Sequence, residues 1–263
     1  MLFRSYSCLA DHLKADLGFE KVSLFPAADY DGVIQGLLGG TLDIAELGAS
    51  GYAKIFLADP KVVTPVLTTQ QTDGSTGYYS IGLALKSSGI TDIMSAKGKK
   101  LGYADPDSTS GYLIPLTQIP TTTGMPNDKF FASADFNGGH ENNVLALIDG
   151  KSDVSVDDSS GIGDFMDGYT SGTFRKLVDK GAVDPADFVE VWRSPLIPNG
   201  PLVVRNALGA DWTKKITDFY TALPTKDAKC FSAVEGGDFK GFVPVKAEFY
   251  QPIIDARKAS IGG

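Results

Sequence analysis

Ser108, Thr109 and Ser110 are three consecutive hydroxyl residues set between a turn sequence and an apolar run. The stretch around them, Tyr103–Pro115, reads Tyr-Ala-Asp-Pro-Asp-Ser-Thr-Ser-Gly-Tyr-Leu-Ile-Pro. Hydroxyl side chains are favoured where a helix starts, and a first helical turn has amide N–H groups with no internal partner and a partial positive charge. The three hydroxyls add up to three further donors, and Gly111 leaves room for an approaching ligand. Together these features suit a small anion, best a tetrahedral oxyanion. An ordinary capped helix uses the same residues, so the stretch alone leaves both readings open. Of the two histidines, His140 follows Asn137-Gly138-Gly139 and opens a helix, where its ring has an anion or a helix cap within reach. His12 lies off the Leu9/Leu13/Leu17 stripe and four residues before Asp16, so it reads as solvated surface.

These residues need a scaffold that alternates strand and helix. Lys100–Ala104 reads as a strand, stopped by the turn Asp105-Pro106-Asp107. Upstream, Ser5–Leu17 is an amphipathic helix followed by Gly18, and Val22–Phe25 a strand closed by Pro26. Asp29 caps a helix over Tyr30–Leu38, and Leu42–Leu47 is a strand with a short helix behind it, ending at Leu57. Val62–Gln70 and Tyr78–Lys86 are strands joined by a polar loop. Downstream, a helix at about Glu141–Ile148, a strand at Asp153–Val156 and a helix at Gly161–Asp167 repeat the alternation. Phe188–Trp192 and Leu202–Arg205 are strands around a proline-rich break, and helices at Trp212–Leu223 and Val245–Lys258 finish the chain. The pattern predicts α/β architecture with a mostly parallel sheet. It divides into two lobes: residues 1–86 begin lobe 1, residues 87–194 form lobe 2, and residues 195–263 return to lobe 1 with the C-terminal helices.

At 263 residues the chain is long enough for one large domain or two lobes. A net charge of −8 argues against nucleic acid, because backbone phosphates need clustered Lys and Arg. No run reaches the ~18 apolar residues of a membrane span. No signal peptide is visible, since Met1–Arg4 leads straight into a polar helix. Cys8 and Cys230 read as free or buried thiols, with one disulfide as the alternative. Catalytic signatures are absent: there is no Gly-x-Ser-x-Gly, His-Glu-x-x-His, Cys-x-x-Cys or phosphate-loop motif. Gly161-Ile162-Gly163 lacks the third glycine of a dinucleotide loop, with Met166 in its place. No cofactor and no metal cluster are expected.

Several stretches now occur in one order. They are Ala28–Gly36, Asp43-Ile44-Ala45, Asp73–Tyr78, Asp105–Pro115, Gly139-His140-Glu141-Asn142-Asn143 and Trp192–Pro198. In this order they resemble the phosphonate-binding PhnD family of periplasmic solute-binding proteins, which serve ABC importers. The resemblance covers most of the chain. It implies a two-lobed, type II periplasmic-binding-protein fold that closes on a phosphonate, phosphite or similar oxyanion, a membrane permease as partner, and a periplasmic location. It also implies that Ser108, Thr109, Ser110, Tyr78 and His140 hold the ligand's oxygens, with Tyr30 in the cleft.

Two departures go with the resemblance. The family has a β-strand before its first helix, whereas this chain begins at that helix, so the expected fold lacks the first strand. Relatives that bind aminoethylphosphonate pair its ammonium with two acidic residues, and the matching positions here are Ser160 and Gly200. Glu46, Asp157 and Asp158 are the carboxylates available as substitutes, with a plain surface role as the alternative. If the strand reaches that far, its two-residue period sets Asp157 and Asp158 on opposite faces. The reading that follows is a non-catalytic binder of a phosphonate or phosphite. The alternatives are a phosphate or sulfate binder, or an enzyme on a small phosphorylated substrate with His140 as its one candidate base.

Overall fold

The computed structural model describes residues 2–25 and 29–261. The first half runs α1 (Leu2–Leu17), α2 (Tyr30–Gly39), β1 (Ile44–Glu46), α3 (Ala49–Ala58), β2 (Val63–Gln71), β3 (Gly77–Leu85) and β4 (Lys100–Tyr103). A π-helical turn, Thr109–Leu113, then leads into α4 (Ile114–Thr123), α5 (Asn127–Phe130), β5 (Ser133–Phe136), α6 (His140–Ile148) and β6 (Val154–Ser159). The remainder is α7 (Thr173–Asp179), β7 (Phe188–Arg193), β8 (Ile197–Pro198), β9 (Pro201–Arg205), α8 (Ala210–Lys226), α9 (Ala228–Glu235), β10 (Phe239–Pro244) and α10 (Gln251–Ile261).

The chain folds as two units. The first comprises Met1–Thr76 and Asn199–Ile254, and the second Gly77–Pro198 with Asp255–Gly263. The division thus falls about one strand earlier than the sequence boundary at Lys86. The cause is pairing: β3 hydrogen-bonds β6 on one side and β7 on the other, so it belongs with them. The last division falls inside α10.

In the first unit the sheet order is β1-β9-β2-β10, and every pair in it is antiparallel. The expectation of a mostly parallel sheet fails here, because β9 and β10 return from late in the chain and insert against earlier strands. The Leu9/Leu13 stripe of α1 is buried with Leu67, Leu202, Ile216, Phe219 and Phe242. Burying one such side chain stabilises by about 1.5–3 kcal/mol, which makes this shared core the main bond between α1 and the sheet. Val22–Phe25 forms no strand, since nothing pairs with it among the described residues; Pro26 lies outside them.

Cys8 and Cys230 are bonded, with sulfurs 2.02 Å apart, and the sequence reading of two free thiols is corrected. Their 222-residue separation gave no sign of the pairing, which α1 and α9 create by packing together. A cross-link over so long a loop typically contributes about 2–4 kcal/mol and belongs to oxidising compartments. His12 reinforces the same junction: its Nε2 lies 2.9 Å from Asp227 Oδ2, so it is half-buried and paired rather than simply solvated.

In the second unit the order is β5-β4-β6-β3-β7, with β8 paired to the start of β3. Here β4 runs parallel to both β5 and β6, whereas β3 is antiparallel to β6 and β7. The C-terminal ends of β4, β5 and β6 and the start of β3 therefore meet at one edge of the sheet. That edge is where open α/β sheets hold their ligands. Ile81, Leu83, Val144, Leu147, Phe174 and Phe188 form the core beneath it. Gly161–Asp167 is not the helix expected. Gly163 at φ +91° turns the chain, and only the single 3-10 turn Phe165–Asp167 follows.

Candidate oxyanion-binding site

Seven of the eight residues singled out from the sequence sit on that edge. Ser108 caps the π-helical turn after β4, and its Oγ accepts the N–H of Gly111 at 2.9 Å. The Leu113 N–H reaches back five residues to the Ser108 carbonyl at 3.1 Å, the widened spacing that makes the turn π rather than α. Two bonds fix the turn to the sheet: Ala104 N–H to Gly111 O at 3.0 Å, and Ser80 Oγ to Ser110 O at 2.6 Å. Ser108, Thr109 and Ser110 are all buried. Tyr78, at the start of β3, lies beside the side chains of Ser110 and Thr109. Burial, with Asp158 nearby, pushes its phenol up to about 12, so it stays a neutral donor.

His140 arrives from the end of β5. Gly138 and Gly139 take φ values of +78° and +114°, which other residues rarely adopt, and their loop is tied to β4 by Asn137 N–H to Tyr103 O and Gly139 N–H to Ala104 O. One turn further on, Asn143 Nδ2 donates to the carbonyls of Gly102 and Val156 and locks α6 onto two strands. A Cβ at Gly102 would lie 2.5 Å from Asn143 Oδ1, so glycine there admits the contact. The role of Asn143 escaped the sequence reading, although it belongs to the Gly139–Asn143 stretch.

The ring of His140 bridges serine and carboxylates. Its Nε2 is 2.9 Å from Ser108 Oγ, and its Nδ1 is 2.5 Å from Asp157 Oδ1 and 3.1 Å from Asp158 Oδ1. Both carboxylates thus reach one ring, which corrects the expectation of opposite facings. The strand period sets the direction of Cβ, not the reach of a carboxylate beyond it. Asp157 is completely buried, and its Oδ1 also accepts the Asp158 N–H. Asp158 accepts the N–H and Oγ1–H of Thr173 at the start of α7. Burial disfavours the charged ring, but Asp157 and Asp158 outweigh it and raise His140 to about 9. Burial raises Asp157 to about 7 against the pull of the imidazolium, whereas Asp158 is held low by His140 and Thr173.

Ser108, His140 and Asp157 follow the order of an acyl-transfer relay, yet the chemistry differs. A relay needs a neutral imidazole to take the serine proton. Here the ring is already an imidazolium at neutral pH and donates from Nε2 to Ser108 Oγ. With Gly111 N–H on the same oxygen, Ser108 accepts twice and its own hydrogen is left to point outward. The result is an oxyanion donor backed by a positive charge. The ring and the two carboxylates place ligand atoms within 4.8 Å of one another, a grouping the sequence did not reveal. Hydrogen bonds already account for it without a cation.

Other expectations resolve differently. Gly111 does not leave room for a ligand: a Cβ there would meet Ala104 Cβ at 2.5 Å and His140 Cε1 at 3.1 Å, so its bareness admits the ring. Tyr30 opens α2 in the first unit, behind its cap Asp29. Glu46 ends β1 in the first unit, at an exposed position.

Residues 2–250 match the profile of the periplasmic phosphonate substrate-binding protein of ABC transporters. The chain belongs to that family. It is 29% identical over 243 residues to the phosphate-import protein PhnD of Mycolicibacterium smegmatis, taking in 90% of this chain and 71% of that protein. It is 32% identical over 205 residues to the phosphonates-binding periplasmic protein of Escherichia coli, taking in 76% of this chain and 56% of that one. A solved binding-protein component of an ABC phosphonate transporter from Pseudomonas aeruginosa superposes at a TM-score of 0.80 with 25% identity, covering 99% of this chain and 83% of that one. The two-lobed periplasmic-binding-protein fold is thereby shown. Members of this family are transporter components and not enzymes, and they work with a membrane permease. Among the described residues no helix is long and apolar enough to cross a membrane.

Proposed function

We propose that this phosphonate-family protein holds its ligand's oxyanion on Ser108, Thr109, Ser110, Tyr78 and His140. Asp157 and Asp158 act through the ring rather than touching the ligand, and Tyr30 is assigned to the same ligand by the family resemblance alone. The observation that carries this reading is the bridge from Ser108 Oγ through His140 to Asp157, which charges the ring and frees the serine proton. The site works in the periplasm, as the family's description has it.

The preferred ligand is a phosphonate with a small neutral substituent, or phosphite, rather than an aminoalkylphosphonate. An ammonium in a dry site needs a carboxylate or several acceptors in place of its water. A Cβ at Gly200 would fall 1.8 Å from Leu47 O, so no side chain fits at that position. Ser160 is spent inside its own loop, donating to Ile162 O and accepting the Thr170 N–H. Asp157 and Asp158 are taken up by His140 and Thr173, and Glu46 stands at an exposed position of β1 in the first unit. Phosphate is the second reading, favoured by the phosphate-import relative from M. smegmatis.

Calorimetric titration with methylphosphonate, phosphite, phosphate, sulfate and aminoethylphosphonate tests both readings. Methylphosphonate or phosphite is expected to bind most tightly. Aminoethylphosphonate binding a hundredfold more tightly than methylphosphonate, about 2.7 kcal/mol, would contradict the preference.

A further inference from the structure

Asp107 stands next in the chain to Ser108, where an acidic residue is out of place beside an anion site. The local turn does not require it. Asp105 supplies the turn's bonds, with its Oδ1 accepting the Asp107 N–H at 2.8 Å and its carbonyl the Ser108 N–H at 3.0 Å. The Asp107 carboxylate instead meets Arg257 of α10, with Nη2 2.5 Å from Oδ1. Both side chains are largely buried, Arg257 at 12% exposure and Asp107 at 5%. The partners are 150 residues apart in sequence and belong to the same unit. A buried ion pair is weak evidence for stability, because desolvating both charges offsets most of their attraction. Its use must lie in what the two charges do to their surroundings.

We propose that Arg257 is a positioning residue of the oxyanion site. It cancels the charge of the Asp107 carboxylate, so that the turn presenting Ser108 does not repel an incoming anion. The proposal rests on the oxyanion reading of the Ser108–Ser110 turn. It separates the two partners by sign. Without Arg257, the buried Asp107 carboxylate loses that counter-charge next in the chain to Ser108. Without the Asp107 charge, the guanidinium remains and attracts the anion.

The test is titration of the full chain with methylphosphonate and phosphate, beside thermal melting without ligand. Arg257→Met is expected to weaken binding at least tenfold, and Arg257→Lys to stay within about threefold of the unsubstituted protein. Asp107→Asn is expected to bind as tightly as the unsubstituted protein or more so. Adding Asp107→Asn to Arg257→Met is expected to recover most of the lost affinity, whatever both changes do to melting. A purely structural pair predicts equal weakening from either single change and no recovery in the double. That result, or full affinity in Arg257→Met, would overturn the proposal. Should Arg257→Met not fold, Asp107→Asn decides alone, and weakened binding by that variant overturns it. If the unsubstituted protein binds neither anion while the single variants fold normally, the oxyanion reading falls and this proposal with it.

Discussion

Alanine at both Ser108 and Thr109 is expected to lower methylphosphonate affinity by about 10²–10⁴-fold, because hydrogen bonds to a charged group are worth about 1.5–3 kcal/mol each. Part of the loss is indirect. Ser108 Oγ accepts the Gly111 N–H and faces His140 Nε2, so its removal leaves a cap unmade and a buried imidazolium short of one acceptor. The cap alone is worth about 1 kcal/mol, which lowers the unfolding midpoint without abolishing a fold of two buried cores. Thr109→Ala alone separates the contributions, since Thr109 lies outside the bridge to His140. An affinity change below fivefold in the folded double variant would remove these hydroxyls from the site.

The second large effect is on the pH profile. His140 is raised to about 9, so binding helped by its positive charge is expected to persist from pH 6 to 8 and to fail as pH passes through about 9. The same shift governs stability. The folded state holds the ring's proton more tightly than the unfolded chain, whose histidine titrates near 6.5. The resulting contribution is complete below about pH 6.5 and is lost as pH rises through about 9. Asp157 acts in the same sense, its contribution present in acid and gone above about 7. Removing one close opposite charge moves a pKa by about 1–3 units. Asp157→Asn is therefore expected to bind nearly normally at pH 6 and about tenfold more weakly than the unsubstituted protein at pH 8. Taking the ratio of the two affinities at each pH cancels the ligand's own ionisation. A flat ratio between pH 6 and 8 would show that the ring's charge plays no part.

Much of the scaffold was legible because its signals are local. The Leu9/Leu13/Leu17 spacing marked α1, the Asp29 cap marked α2, and three hydroxyls after Asp105-Pro106-Asp107 marked the turn that presents Ser108. What failed depends on partners distant in sequence. Val22–Phe25 has the residue types of a strand, but nothing among the described residues pairs with it, and Phe25 is left exposed. Gly161–Asp167 has helical spacing but is spent on a turn around Ser160 and Thr170. The order of strands in each sheet set parallel against antiparallel, and no local pattern encodes that order. At the edge of the second unit's sheet, seven of the eight candidate residues were legible as types. Long-range pairings were not: the Cys8–Cys230 bridge, the convergence of both aspartates on His140 and the Arg257–Asp107 pair all bring together residues that only the folded chain makes neighbours.

The most direct test of the site is calorimetric titration with methylphosphonate of His140→Ala beside His12→Ala. His12 binds Asp227 in the first unit, whereas His140 bridges Ser108 and Asp157 in the second. His140→Ala is expected to lose about a hundredfold in affinity, the worth of one charge-assisted bond and the positive charge behind it, while His12→Ala binds as the unsubstituted protein does. Equal and small effects of the two substitutions would contradict this.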